Sequence, residues 1–250
     1  MQQKANQQKF GLIGKSLAHS FSKLFFEEKF KKENINATYE NIELANENEL
    51  QNWVLSELQK YAGINVTIPY KVAIIPFLDE VSNEVKEVGA VNTIALKNGK
   101  SIGYNTDVYG FRQSIKPFFK GTHERALILG TGGASKAVAY VLKELGVDVA
   151  YLSRTPNPDK NIFGYNDVNQ YMVNAFKLII NTTPLGTFPN IEEKPNFPIE
   201  FVGEEHLVID LIYNPTETKF LQIAREHGAD TLNGLSMLKH QAIRSWEIYQ

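Results

Sequence analysis

Hydrophobic and polar positions follow two periods along the first half of this chain. Apolar residues at every second position predict half-buried strands, and apolar residues spaced by three and four predict helices. The pair Asn98-Gly99 predicts a hairpin turn between two strands. This alternation of strands and helices predicts a small α/β layer. The predicted strands are Phe10–Gly14, Ala37–Leu44, Gly63–Ile68 and Gly89–Leu96, and the predicted helices are Ser22–Glu33, Asn48–Lys60, Val72–Leu78, Val81–Val88 and Asp107–Phe119.

The second half of the chain contains continuous apolar runs instead of alternating ones. Such runs are typical of strands buried on both faces of a parallel sheet. Helical segments separate them, which predicts a doubly wound sheet between Arg125 and His227. The predicted strands are Ala126–Leu129, Val147–Leu152, Phe176–Asn181 and His206–Tyr213, and the predicted helices are Ser135–Leu145, Thr216–His227 with Thr216 as its cap, and a last one that ends near Tyr249.

The composition is that of an ordinary soluble globular protein, with 250 residues, 43% hydrophobic and 22% charged. This length predicts one large or two medium domains. The net charge of −2 gives no overall basic field, so we expect neither a nucleic acid nor a membrane as partner. The first ten residues lack the apolar segment of a signal peptide, and no apolar run reaches membrane-spanning length. We therefore expect a cytoplasmic protein.

A glycine-rich turn follows the apolar run Ala126–Leu129 and precedes a helix. Glycines at positions 130 and 132 permit a tight turn and let the backbone approach a pyrophosphate, whose charge the helix N-terminus favours. Ser135 stands where the usual third glycine would be. Between a strand and a helix, and followed by a second strand, this turn predicts a dinucleotide site.

The end of that second strand indicates which dinucleotide binds. An NAD site usually carries an acidic residue there to hold the ribose 2′-hydroxyl, whereas this chain has Ser153-Arg154-Thr155. A guanidinium and two hydroxyls suit a 2′-phosphate, so we expect NADP. In the alternative reading, Arg154 is a solvated surface residue.

Four further residues can each be interpreted in a structural or in a chemical way. Lys71 comes just past the strand that Pro69 ends, where rigid scaffolds place reactive side chains, but it could be an ordinary exposed lysine. Ser20 and Ser22 could bind a carboxylate near a helix N-terminus or merely cap that helix. Asp107 could likewise face a cleft or act as a helix cap.

The sequence shows no motif for a metal site, a hydrolytic triad or a thiolate nucleophile. The five histidines show no metal-ligand spacing, so no metal is assigned. There is no GxSxG segment and no convincing hydrolytic triad, and the absence of cysteine excludes disulfides and thiolate nucleophiles.

Taken together, these segments resemble the shikimate dehydrogenase family. The matches follow the family order and run from Gly14 to Gln241. His19-Ser20-Phe21-Ser22 is similar to the carboxylate-binding serine pair, and Asn65–Lys71 (NVTIPYK) is similar to the catalytic-lysine strand. Gly89–Thr93 (GAVNT) and Asn105–Asp107 (NTD) resemble further substrate segments, and Gly130–Ala134 and Ser153–Thr155 resemble the cofactor loops.

The resemblance implies reversible, NADP-dependent reduction of 3-dehydroshikimate to shikimate in aromatic amino-acid biosynthesis. The implied fold has an N-terminal α/β substrate domain (residues 1–107 and 235–250) and a Rossmann-type dinucleotide-binding domain (residues 108–234), in a monomer or homodimer. Hydride comes from the nicotinamide, Lys71 transfers the proton and Asp107 is its partner. The implied substrate ligands are Ser20, Ser22, Thr67, Asn92, Tyr213 and Gln241, and the implied cofactor ligands are Gly130, Thr131, Gly132, Gly133, Ala134, Ser153, Arg154, Thr155, Leu211 and Gly234.

The chain also departs from the family pattern. Lys23 replaces the usual proline after the second serine, Ser153 replaces an asparagine, and Pro158 stands where a second arginine often follows. Two other readings therefore remain open. One is a dehydrogenase for quinate or a related cyclohexanoid acid that uses NAD, and the other is a catalytically silent nucleotide sensor on the same fold.

Overall fold

The computed structural model describes residues 7–17 and 20–250, and the chain divides into two units. The first unit holds Met1–Thr106 and Ala242–Gln250, and the second holds Asp107–Gln241. Each unit is built on its own six-stranded sheet. His19 of the serine-pair motif, like Ala18 and residues 1–6, lies outside the described residues.

The sheet of the first unit combines parallel and antiparallel strands in the order β2-β1-β3-β5-β6-β4. Strands β1, β2 and β3 are parallel, so their carboxyl ends meet at one edge of the sheet. Strands β5 and β6 form the hairpin predicted from Asn98-Gly99, both of which have positive φ. The strands are β1 Gln8–Gly14, β2 Ala37–Glu43, β3 Gly63–Val66, β4 Glu80–Val81, β5 Thr93–Lys97 and β6 Lys100–Tyr104, and the helices are α1 Phe21–Lys32, α2 Glu47–Ser56, α3 Tyr70–Ala73 and α4 Asn83–Val88.

Aromatic side chains form much of the core on one face of this sheet. The Phe10 ring lies 5.6 Å from Phe30 and 5.1 Å from Tyr249, measured between ring centroids. A Cβ on Gly63 would come within 2.3 Å of the Tyr249 ring, so only glycine lets β3 approach this ring. The last residues of the chain therefore pack onto the first sheet, as the family resemblance implies.

The sheet of the second unit is entirely parallel and has the order β12-β11-β10-β7-β8-β9. This is the doubly wound dinucleotide-binding order, in which the strand order reverses between β7 and β10. The predicted fold class is therefore confirmed. The strands are β7 Arg125–Leu129, β8 Asp148–Leu152, β9 Ile162–Phe163, β10 Leu178–Asn181, β11 Leu207–Asp210 and β12 Asp230–Leu232, and the helices are α5 Thr106–Ile115, α6 Gly133–Glu144, α7 Gln170–Ala175, α8 Lys219–Glu226 and α9 Leu235–Tyr249. The part of α9 after Gln241 belongs to the first unit.

Some predicted helix boundaries were wrong. The helix predicted over Val72–Leu78 is the single turn α3 followed by a 3₁₀ turn at Ile75–Phe77, where Pro76 lacks the N–H that an α-helix needs. Val81 belongs to β4 and pairs with Gly103, so α4 begins only after the Ser82 cap.

Two caps also differ from the prediction. Helix α8 is capped by Thr218, whose hydroxyl oxygen accepts from Leu221 N, and Thr216 lies before it. The Thr218 hydroxyl also donates to Asp210, and this tertiary hydrogen bond fixes the start of the helix. Asp107 lies inside the first turn of α5, because the helix already begins at Thr106.

Candidate active site

The glycine turn after β7 leaves the backbone of the α6 N-terminus accessible. Gly130 has a φ of +100°, and a Cβ there would lie 3.1 Å from Thr182 Oγ1. A Cβ on Gly132 or Gly133 would meet nothing within 4 Å, so internal packing does not demand glycine at these positions. Ser135 is buried and donates its hydroxyl proton to Gly132 O at 2.6 Å. The turn therefore fits a bound pyrophosphate, whose oxygens would occupy the space beside the two glycines.

The residues predicted to select NADP lie next to this turn. Leu129 pairs with Leu152, and Gly130 N donates to Leu152 O at 2.8 Å, so the ends of β7 and β8 are neighbours. Ser153 Oγ accepts from Thr155 N at 3.2 Å and shapes the segment that follows β8. The Arg154 side chain is exposed at this edge, which leaves its guanidinium accessible to a phosphate.

A buried carboxylate organises the loops after β10 and β11. Asp210 Oδ1 accepts from Asn181 Nδ2 and from Ile212 N, both at 3.1 Å, while Asp210 Oδ2 accepts from Thr218 Oγ1 at 2.7 Å. Asn181 Oδ1 in turn accepts from the backbone N–H and the hydroxyl of Thr183. Burial raises the pKa of Asp210 to about 6, although its three hydrogen bonds oppose the rise.

Two of the predicted cofactor ligands, Leu211 and Gly234, are in close contact. Gly234 N donates to Ile212 O at 3.0 Å, and a Cβ on Gly234 would lie only 2.0 Å from Leu211 O. Glycine is therefore required for the two loops to approach each other. Tyr213 follows in the same loop, half-buried, and burial raises the pKa of its hydroxyl.

Asp107 and Gln241 lie on facing surfaces of α5 and α9. A Cβ on Gly110 would come within 2.6 Å of Met237 O and 3.2 Å of Gln241 Cβ, so the two helices touch there. Asp107, three residues before Gly110, is on the same side of α5. Within the second unit, the structure thus brings the buried Asp107 towards the turn of α9 that carries Gln241.

In the first unit, the predicted substrate residues gather at the carboxyl ends of β1 and β3. Thr67 N donates to Ile13 O at 2.9 Å, and a Cβ on Gly14 would lie 2.7 Å from Thr67 Cγ2. Val91 N donates to Lys71 O at 2.7 Å, which holds the lysine backbone beside Asn92. The structure therefore brings Asn92 beside Thr67 and Lys71, although the segment Gly89–Thr93 is separate in sequence from Asn65–Lys71.

The two serines take different local roles. Ser20 caps α1, and its hydroxyl oxygen accepts from Lys23 N at 3.5 Å, so the capping reading holds. A capping oxygen keeps its own proton for donation, so capping is compatible with binding a carboxylate. Ser22 hydrogen-bonds the Tyr39 hydroxyl, whose pKa is raised by burial against the opposing effect of this hydrogen bond.

The described residues contain no cluster of three or more histidine, aspartate or glutamate side chains placed to hold a metal ion. In that same part of the chain, no helix has the length and apolar character needed to cross a membrane.

A doubly wound sheet with an open glycine turn at its switch point, in one chain with a second α/β unit, defines the class of two-domain dinucleotide-binding proteins. A family model described as "Shikimate dehydrogenase substrate binding domain" matches residues 12–94. The "Shikimate dehydrogenase (NADP(+))" of Carboxydothermus hydrogenoformans is 39% identical over 250 residues, which cover 95% of this chain and 89% of that protein. The chain belongs to the shikimate dehydrogenase family.

Solved structures agree with this assignment. The crystal structure of shikimate dehydrogenase from Aquifex aeolicus is 36% identical with a TM-score of 0.87, and the match covers 98% of this chain and 93% of that one. The Thermus thermophilus enzyme, in complex with NADP(H) and shikimate, is 30% identical with a TM-score of 0.83, over 97% of this chain and 93% of that one.

Sequence reasoning missed several residues that shape the site. Asp210, Tyr39, Asn65 and Ser245 are buried polar residues that hold the predicted ligands in place. The sequence gives no signal that Asn65 is buried, because Asn65 stands at a polar position of an alternating strand, and none for Ser245, which contacts Asn65 across 180 positions.

Proposed function

We propose that this protein catalyses the reversible, NADP-dependent reduction of 3-dehydroshikimate to shikimate. The relative from Carboxydothermus hydrogenoformans carries this activity in its name, and the Thermus thermophilus enzyme was crystallised with NADP(H) and shikimate. The observation that carries the proposal for this chain is the position of Lys71, whose backbone is tied to Val91 so that the lysine lies beside Asn92 and close to Thr67. This arrangement suits the reduction of a ketone to an alcohol, because the lysine ammonium can donate a proton to the ketone oxygen while the neutral groups around it bind the rest of the substrate.

The proposed substrate residues bind different chemical groups of the substrate. Ser20 and Ser22 bind the carboxylate, Ser20 through the hydroxyl proton that capping leaves available, and Thr67, Asn92, Tyr213 and Gln241 bind hydroxyl groups or the carboxylate of a small polyhydroxy acid. Neutral donors and acceptors of this kind fix orientation without the desolvation cost of further charges.

Lys71 and Asp107 carry out the proton chemistry in this proposal. The Lys71 ammonium donates a proton to the ketone oxygen and stabilises the negative charge that develops on it during reduction. In the oxidative direction, the neutral amine accepts the proton from the substrate hydroxyl. Asp107 orients the lysine and accepts a hydrogen bond from a second substrate hydroxyl.

The proposed cofactor residues all belong to the second unit. The turn Gly130–Ala134 holds the pyrophosphate through its backbone N–H groups, and Ser153, Arg154 and Thr155 hold the 2′-phosphate. Leu211 and Gly234 contact the cofactor from the loops after β11 and β12. Bound NADPH supplies the hydride. We accordingly assign substrate binding to residues 1–107 and 235–250, and cofactor binding to residues 108–234.

The proposal is tested by the initial rate of NADPH formation from shikimate and NADP, with purified wild-type protein and a Lys71→Ala variant. Loss of a general acid-base group should lower kcat by roughly 10²–10⁴. Lys97→Ala, at an exposed position of the same unit, is the matched control and should retain wild-type kcat. No turnover by a wild-type protein that binds NADP would favour the silent sensor, and undiminished kcat in Lys71→Ala would remove the lysine from the mechanism.

A further inference from the structure

A network of buried, uncharged polar side chains connects the segments that carry the proposed substrate residues of the first unit. We propose that the Thr93 hydroxyl is the centre of this network and acts as a positioning residue for shikimate, because it fixes Asn92 and the start of α5. This inference rests on the proposed function. It assigns Thr93, Asn65 and Ser245 a role in substrate recognition through their neighbours, without direct contact with substrate.

Thr93 Oγ1 has four polar side-chain neighbours. It lies 2.8 Å from Ser245 Oγ, 3.1 Å from Asn65 Nδ2, 3.3 Å from Thr106 Oγ1 and 3.3 Å from Asn92 Oδ1. All five side chains are buried, and Thr93 is fully so. Four separate chain segments therefore meet at one hydroxyl that water does not reach, where hydrogen bonds are strong and a missing partner is costly.

The network determines which way the Asn92 amide faces. Thr106 N donates to Asn92 Oδ1 at 2.7 Å, and a backbone N–H can only donate, so this atom must be the amide oxygen. The hydroxyls of Thr106 and Thr93 approach the same oxygen at 3.2 and 3.3 Å. The Nδ2 group is consequently the part of Asn92 that serves other partners, and we infer that Asn92 donates its hydrogen bond to a substrate oxygen.

The same hydrogen bonds fix the start of α5. Thr106 is joined to Asn92 through its backbone and to Thr93 and Ser245 through its hydroxyl, with 3.3 Å to Ser245 Oγ. Asp107 is the next residue in the chain. Any change that lets Thr106 move will therefore move the backbone of the proposed catalytic carboxylate as well.

A branch of the network reaches the proposed carboxylate site. Asn65 Nδ2 donates towards Ser245 Oγ at 3.0 Å and Asn92 O at 3.3 Å, so Asn65 Oδ1 is the atom that accepts from the Tyr39 hydroxyl at 2.8 Å. Tyr39 in turn hydrogen-bonds Ser22. One connected set of hydrogen bonds thus joins the residue proposed for the carboxylate to the residue proposed for a ring hydroxyl.

The central experiment compares Thr93→Val with Thr93→Ser. Valine keeps the shape of threonine and removes the hydroxyl, whereas serine keeps the hydroxyl and removes a methyl group. We expect Thr93→Val to lower kcat/KM for shikimate about 5- to 150-fold, the range that corresponds to buried partners left unsatisfied, and to leave KM for NADP within about twofold. Thr93→Ser should retain most of the wild-type kcat/KM even if its Tm falls further.

Ser245→Ala provides a second test at a different element, and Ser101→Ala is its matched control. Ser101 is a buried serine of the same unit that hydrogen-bonds Asp79, away from the network. Both variants lose a buried hydroxyl and should lose stability, but only Ser245→Ala should raise KM for shikimate several-fold in protein that is fully folded by circular dichroism. This pair decides the matter even if Thr93→Val does not fold.

The outcomes separate this inference from the proposed function. A wild-type protein without turnover of shikimate contradicts the proposed function itself. An active wild type with Thr93→Val and Ser245→Ala at wild-type kcat/KM overturns the network's role, as does a Thr93→Ser variant that loses as much as Thr93→Val, because packing would then be the cause. A raised KM for shikimate or a lowered kcat in both Thr93→Val and Ser245→Ala, with KM for NADP little changed, supports the positioning role of the network.

Discussion

Asp210 offers a direct test of the loop architecture at the carboxyl edge of the second sheet. Its carboxylate joins three segments, through Asn181 at the end of β10, Ile212 in the next loop and Thr218 at the cap of α8. The side chain is fully buried, and burial raises its pKa from 3.8 to about 6. Asp210→Asn keeps the size and most of these hydrogen bonds while removing the charge.

The sign and size of the effect follow from this pKa. In the unfolded chain the carboxyl ionises near pH 3.8, whereas in the folded protein it ionises only near pH 6. The protonated form therefore favours the folded state, and this contribution is fully present below pH 4 and lost as the pH rises through 6. A shift of about two pKa units corresponds to about 3 kcal/mol, an order-of-magnitude value. The asparagine variant has no such titration.

The assay is the free energy of unfolding by urea between pH 4 and 7.5, for the wild type and for Asp210→Asn. The difference between the two removes the titration of all other groups. We expect the variant to gain stability relative to the wild type as the pH rises, by up to about 3 kcal/mol. Ser114→Ala removes a buried hydroxyl of the same unit and no ionisable group, so its difference from the wild type should be nearly constant with pH.

Two results would contradict a raised pKa of Asp210 in the folded protein. A constant difference between wild type and Asp210→Asn across this range would mean that the carboxyl ionises normally despite its burial. A difference of opposite sign, with the variant losing stability as the pH rises, would mean that the hydrogen bonds to the ionised carboxylate outweigh the cost of burying its charge.

The remaining predictions concern three single substitutions. Gly234→Ala places a Cβ against Leu211 O, so we expect a loss of about 1–3 kcal/mol in urea unfolding; unchanged stability would contradict the close approach of the two loops. Arg154→Ala should raise KM for NADP about 10- to 150-fold and leave KM for NAD nearly unchanged, with an equal loss for both cofactors arguing against a 2′-phosphate contact. Asp107→Asn removes a charge from the first turn of α5, so stability should fall by no more than about 1 kcal/mol while kcat falls steeply; a loss of Tm at unchanged kcat would leave Asp107 a purely structural role.

The fold was predictable wherever local pattern and local chemistry agree. The apolar run Ala126–Leu129, the glycine turn and the amphipathic segment after it together predict a buried strand, a tight turn and a helix, and the structure has this strand, turn and helix. The hairpin at Asn98-Gly99 follows from the positive φ that these two residues tolerate.

The local sequence pattern did not predict those helix caps and side-chain contacts that depend on tertiary structure. Thr216 and Thr218 are equally good caps by sequence, and only the hydrogen bond from Thr218 to Asp210 selects the second. The Asn65–Ser245 contact joins residues 180 positions apart, so no local spacing in the sequence reveals it. The predicted ligands lie in short segments after strands, where a local sequence pattern can indicate them, whereas the residues that contact them from elsewhere in the fold are scattered along the chain.

The proposed function is tested most directly by comparing kcat/KM for shikimate and quinate, each with NADP and with NAD, at one pH and ionic strength. We expect shikimate with NADP to give the highest value, and we expect a higher ionic strength to weaken the preference for NADP, because the proposed contact with Arg154 is ionic. A higher kcat/KM for quinate with NAD would contradict the proposed function, and so would a wild-type protein that binds NADP yet turns over neither acid.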